Sequence, residues 1–219
     1  AEFEKAAVSA DQALEILEKY SPENKSMFAA LEGKKLIEPK TEEEVRTRRK
    51  ELLETASEIA DLDREHAELL ASITKIQNSV ESLTPWLSLD VPLKASQTER
   101  AVFFPGTMPG GTTVESAYEV LAQRAPDTES ADIHIISAEQ STVYLAVICL
   151  KEEAAAIEEA LRSAGFARPS QTWSRTPSEE KDVLLKEVET CREKIAAVEK
   201  RIEELSKERD NLKILSDYY

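Results

Sequence analysis

The chain has 219 residues and a mass of 24.4 kDa, with 32% charged and 41% hydrophobic residues, enough for one or two domains. Lys and Arg number 28 against 43 Asp and Glu, a formal charge of −15, which disfavours nonspecific binding to nucleic acid or anionic lipid because both are polyanions. The longest apolar run, Val143–Leu150, falls far short of the roughly 20 residues that span a bilayer, and Cys149 and Cys191 build neither a disulfide framework nor a ligand pair. Few aromatic residues, five glycines and many Ala, Glu, Lys, Leu and Arg point to long helices. No signal-peptide pattern is read at Ala1, and a start without Met leads to the expectation of a processed or cut polypeptide.

Residues 1–40 read as an N-terminal helix and a connector. Phe3, Ala7, Ala10, Leu14 and Leu17 share one helical stripe, and Pro22, Gly33 and Pro39 bracket the connector. From 41 to 93 a heptad series begins: Val45, Leu52, Ile59, His66, Ile73, Val80 and Leu87, with Leu62, Leu69, Ile76 and Leu83 beside it. A repeat sustained this long marks a coiled-coil seam. Thr41 with Glu44 forms a capping-box pattern at its start, and Pro85 and Pro92 mark its end. Arg46, Arg48, Arg49 and Lys50 form a basic cluster, but flanking glutamates make it a solvated face of ion pairs rather than a phosphate site.

The period changes in residues 94–175. Ala101–Phe104, Asp132–Ile136 and Thr142–Leu150 read as strands. Thr112–Ala125 and Glu152–Ala164 read as amphipathic helices, the second stopped by Gly165, and Phe166–Arg168 reads as a closing strand. That order is the split βαβ, or ferredoxin-like βαββαβ, arrangement. Residues 176–219 return to the helical pattern, opened by Thr176, Pro177 and Glu179. Leu184, Val188, Cys191, Ile195, Val198, Ile202, Leu205, Leu212 and Tyr219 form its seam, with Arg209 at an intervening seam position. Two helices of matched length, each roughly 60 Å at 1.5 Å per residue, predict one antiparallel intramolecular coiled coil; a parallel homodimer is the alternative, and it leaves the equal lengths unexplained. The fold class is therefore α+β, a long antiparallel coiled coil with an inserted ferredoxin-like lobe.

Chemistry is sparse. His66 falls in the seam, where it reads as a polar core residue rather than a ligand, and His134 lies on a strand with no ligand partner near it. The loop Pro105–Thr113 is glycine-rich but lacks the lysine of a P-loop, so Thr112 and Glu115 read as a helix cap. No catalytic, cofactor-binding or metal-binding residue is assigned, and no cofactor is expected. The sequence predicts no enzyme.

Several segments, in order, carry a family resemblance: Leu83-Thr84-Pro85-Trp86-Leu87-Ser88-Leu89-Asp90-Val91-Pro92-Leu93, Val102-Phe103-Phe104-Pro105-Gly106-Thr107-Met108-Pro109, Ala164-Gly165-Phe166 and Thr176-Pro177-Ser178-Glu179. With Phe3–Ala7, Gln12–Leu17 and Leu31–Lys35 they resemble the cytoplasmic N-terminal half of subunit I of the V-type (A/V-type) rotary ATPases, the equivalent of eukaryotic subunit a, most closely its bacterial members. The resemblance implies a stator component on the cytoplasmic face of the membrane, a strut linking peripheral stalks to the ion-translocating sector. It implies that the distal lobe, Gln97–Trp173, holds the peripheral-stalk E–G heterodimer. It further implies a proximal lobe whose opening strands precede Ala1, and a membrane domain beyond Tyr219 that carries the proton-transfer arginine. The isolated chain is then expected to be monomeric. A ferredoxin-like small-molecule sensor signalling through a coiled coil is the alternative, with the glycine-rich loop as its ligand loop.

Overall fold

The computed structural model describes residues 2–23 and 39–217. Gly33, the Leu31–Lys35 segment, Tyr219 and the side chains of Phe3 and Thr41 lie outside the described residues. The helices are α1 (Glu2–Tyr20), α2 (Pro39–Thr47), α3 (Arg49–Leu83), α4 (Val114–Arg124), α5 (Ala154–Ser163), α6 (Pro177–Leu205) and α7 (Arg209–Asp217). The strands are β1 (Ser96–Gln97), β2 (Ala101–Pro109), β3 (Asp132–Ala138) and β4 (Thr142–Leu150). The chain is thus α+β, and it divides into two compact units, residues 1–75 with 188–219, and residues 76–187.

The first unit is helical. Its core joins Ala10, Ala13 and Leu17 of α1, Val45 of α2, Leu52, Ala56 and Ile59 of α3, Val198, Ile202 and Leu205 of α6, and Leu212 and Leu215 of α7. Alanines on α1 keep its side chains short where it lies close to α7. Within this unit α3 and α6 run in opposite directions. The polar pairs Arg48–Glu208 (3.3 Å), Glu58–Arg201 (2.6 Å) and His66–Glu199 (3.0 Å) ascend along one segment and descend along the other.

Here the heptad expectation needs correction. The apolar seam is shared by five helices rather than closed by two. The stripe of α1 is also shifted: Ala6, Ala10, Ala13 and Leu17 are buried, whereas Ala7 and Leu14 are only half-buried. Neither long helix is continuous over its predicted range. α2 yields to α3 at Arg48, although backbone bonds from Arg48 to Glu44 (2.9 Å) and from Leu52 to Arg48 (3.0 Å) carry the helical ladder past the interruption. The return helix tightens into a 3-10 turn at Ser206–Glu208 before α7. Arg209, predicted in the seam, instead donates to the carbonyls of Leu17 (3.0 Å) and Ser21 at the C-terminal end of α1. The Leu17 carbonyl already accepts from the Ser21 N–H (2.8 Å), so the guanidinium adds a second donor there, and its charge suits the negative end of the helix dipole.

The second unit carries the sheet, with order β1-β2-β4-β3 and every neighbouring pair antiparallel. β2 and β4 pair along their whole length, from Ala101↔Leu150 to Pro109↔Thr142. One face packs on α4 and α5 through Phe104, Met108, Ile133, Val143, Leu145, Val147, Leu121, Ile157 and Leu161. Strand alternation places Phe103 and Tyr144 on the other face, in a cluster with Leu83, Trp86, Leu89, Leu93 and Leu184.

The closing strand predicted at Phe166–Arg168 is reduced to a single bridge, Thr107↔Ala167, with bonds of 2.8 and 3.0 Å. Two causes are visible. Pro169 has no N–H to continue a ladder, and the unpredicted β1 occupies the same edge of β2 at Val102 and Phe103. α3 stops at Leu83 because Pro85 cannot donate back along a helix, and the chain tightens into a 3-10 turn, Thr84–Trp86. Leu87, predicted to end the seam, is half-buried beyond that turn.

Candidate functional site

The residues singled out in the sequence do not converge. Among the glycine-rich loop amides, Gly110 donates to the Ser141 carbonyl (2.9 Å), Thr112 to the Pro109 carbonyl (3.2 Å) and Thr113 to the Ser116 hydroxyl (2.9 Å). A phosphate cradle needs such groups free. The cap of α4 is Thr113 with Ser116, in a reciprocal capping box, one residue later than the predicted Thr112 with Glu115. At α6 the predicted box forms: Thr176 N–H donates to Glu179 (3.1 Å), and Glu179 N–H to the Thr176 hydroxyl (3.3 Å).

His66 is buried, bonded through Nε2 to Glu199 at 3.0 Å and edge-on to Tyr20 with ring centroids 5.1 Å apart. The Tyr20 hydroxyl and Lys19 ammonium both donate to Asp63 Oδ1 at 2.8 Å. The Lys19 ammonium holds the Asp63 carboxyl below its ordinary range, and burial pushes the Tyr20 phenol up. His134 is exposed and pairs with Asp132 at 3.0 Å. In the basic cluster Arg48 engages Glu51 and Glu208, and Lys50 engages Glu54. Among the described residues no group of three or more His, Cys, Asp or Glu could hold a metal ion.

One concave feature that sequence reasoning did not reach is a cleft of about 590 Å³ in the second unit. Its floor follows from the proline stop. The 3-10 turn buries Trp86 (3% exposed) edge-on to Tyr144, with centroids 5.2 Å apart and planes at 84°. The segment after the Ala167 bridge supplies the wall. Trp173 is held by its own N–H to the Leu93 carbonyl (3.1 Å), and its indole Nε1 is buried without a hydrogen-bond partner among the described residues.

Charges stand at the rim. Arg168 lines the cleft but is tied by Nε and Nη2 to Glu158 at 2.8 and 2.7 Å, with its guanidinium over the Phe104 ring. Glu158 also accepts from Arg162 (2.7 Å), and the Arg168 guanidinium chiefly holds its carboxyl below the usual range. Glu139 accepts from the Tyr144 hydroxyl (3.4 Å), and burial, with Glu139 second, raises the Tyr144 phenol. Glu81 lines the same cleft, and neither it nor Glu139 has a salt bridge among the described residues. Among the described residues that line this cleft there is no His, Cys or Lys; its aromatic side chains and carboxylates are suited to binding. The one sequence signal for it is that both tryptophans flank the strand region.

No family model matches the chain, and no curated protein matches it. A solved structure does: the cytoplasmic N-terminal domain of subunit I, homologue of subunit a, of a V-ATPase. It aligns over 98% of this chain and 67% of its own, with a TM-score of 0.54 and 14% identity. At that identity the likeness is one of fold, and it agrees with the resemblance read from the sequence. Among the described residues no helix is long and apolar enough to cross a membrane.

Proposed function

We propose that the chain acts as a stator component of a rotary V-type ATPase, a non-catalytic strut on the cytoplasmic face that links peripheral stalks to the ion-translocating membrane sector. The observation that carries this reading is the fold match to the V-ATPase subunit I domain over 98% of the chain. Two features accord with it. The helices α3 and α6 run in opposite directions in the first unit, as the arms of a strut would, and β2–α4–β3–β4–α5 is read as a ferredoxin-like lobe whose last strand has shrunk to one bridge. Fold analogy alone does not assign a role, so the reading stands or falls on its partner.

In this reading the lobe, Gln97–Trp173, docks a peripheral-stalk E–G heterodimer. A single lobe offers an interface of standard size or less, and a stator gains by combining several modest contacts, so roughly micromolar binding is expected. Calorimetry with the cognate heterodimer tests it. Absence of binding at low salt, or unchanged binding after deletion of 97–173, overturns it. The small-molecule sensor reading is weaker because its ligand loop spends the Gly110, Thr112 and Thr113 amides on internal bonds.

A further inference from the structure

We infer that the cleft walled by Trp173 and Tyr144 and floored by Trp86 is a receptor for a cationic side chain, Lys or Arg, presented by a basic segment of a partner protein. This inference deepens the docking reading and rests on it for the partner's identity. The site itself is argued from its chemistry.

Three observations lead to a cation. The walls are aromatic, and Trp173 and Tyr144 are only half-buried, so a long aliphatic stem can lie against them. A cation near such rings is attracted by their quadrupole. The rim then decides the sign. Arg168, which also lines the cleft, is bound twice to Glu158, a carboxylate that it shares with Arg162. Glu81 and Glu139, both exposed, form no salt bridge among the described residues, and Glu139 accepts from the neutral Tyr144 hydroxyl. The cleft thus sets two carboxylates against one guanidinium already bound to Glu158, on a chain of formal charge −15. An anionic ligand would meet repulsion from both, whereas an ammonium or guanidinium head would meet attraction at the end of an apolar path. An occupant with a stem and a charged head fits both halves of the site. A second copy of this acidic chain does not meet that charge requirement.

The experiment has a built-in reporter, because the chain has two tryptophans and both line the cleft. The full chain is titrated with a blocked peptide of alternating Leu and Lys, while tryptophan fluorescence is followed, and the Leu–Glu counterpart serves as the charge control. The expected result is a saturable spectral change with the Lys peptide and none with the Glu peptide. Glu81→Gln with Glu139→Gln should weaken binding about tenfold or more, while Glu119→Gln, an exposed carboxylate on α4, should bind as the parent does. No response at millimolar peptide, or equal weakening by Glu119→Gln, overturns the inference. The stalk heterodimer separates the two proposals. If it binds parent and double variant equally, the cleft inference fails and docking stands. If the Lys peptide behaves as expected and the heterodimer does not bind, docking fails and the cleft remains a cation site.

Discussion

Glu158 shows how one carboxylate can hold two segments together. It lies largely buried between Arg162 and Arg168, and Arg168 follows the single bridge that stands in for a closing strand. Because its carboxyl is depressed in the folded state, its stabilisation is present above the unfolded value and is lost as pH falls through the folded one. Glu158→Gln is therefore expected to cost about 1–2 kcal/mol at neutral pH. Chemical melts across pH should show that gap narrowing below about pH 4.3; a gap that widens on acidification contradicts the sign. His66 makes the opposite case. Its partner Glu199 is half-exposed and keeps water if the imidazole is removed, so His66→Leu exchanges a polar core group for an apolar one. Thermal unfolding should show equal stability or a gain of up to about 1 kcal/mol. A clear loss would mean that the His66–Glu199 bond and the Tyr20 edge contact outweigh the desolvation they require.

Turns and helix ends show the same local control one level up. α5 ends where Gly165 adopts φ +98°, a conformation side chains rarely accept, and a Cβ there would lie 2.7 Å from Pro109 Cγ. Gly111 has φ +83° with open space around it. Gly165→Ala should therefore cost more than Gly111→Ala, about 2 kcal/mol or more against about 1 kcal/mol, and urea unfolding of both variants measures the difference. Equal losses would assign the whole effect to backbone strain and none to the clash. For the helices of the first unit, the Glu58–Arg201 contact fixes a cross-helix position. Cysteines at 58 and 201, in a Cys191→Ser background, should be joined within one chain by a short bis-maleimide. Exclusive crosslinking between chains would refute the antiparallel pairing of α3 with α6.

Across the whole molecule the dominant property is charge. A formal −15 on 219 residues acts on encounter with a partner more than on the fold. Association with a basic partner should slow markedly as salt is raised, because the Debye length shrinks from about 10 Å at 0.1 M to about 3 Å at 1 M. Stopped-flow measurement with the stalk heterodimer proposed as its partner checks this. A salt-independent on-rate would leave the acidity without a role in recognition.

The pattern of residues along the chain was enough to establish the α+β class, the two long helical stretches, the three main strands, α4 and α5, and the Thr176–Glu179 cap. These depend on periodicity, proline and glycine, which act over a few residues and are written in order. Tertiary structure alone decided which surfaces met. The heptad pattern showed an apolar seam but not that α1 and α7 would join it in the first unit, because a stripe of Ala and Leu reads alike against one neighbour or four. Arg209 looked like a seam residue until the carbonyls of Leu17 and Ser21 supplied its partners. The last strand looked complete until β1 took part of its edge. The cleft, too, was hidden, since Trp86, Tyr144 and Trp173 lie far apart in sequence, and only packing of the sheet's second face brings their rings together.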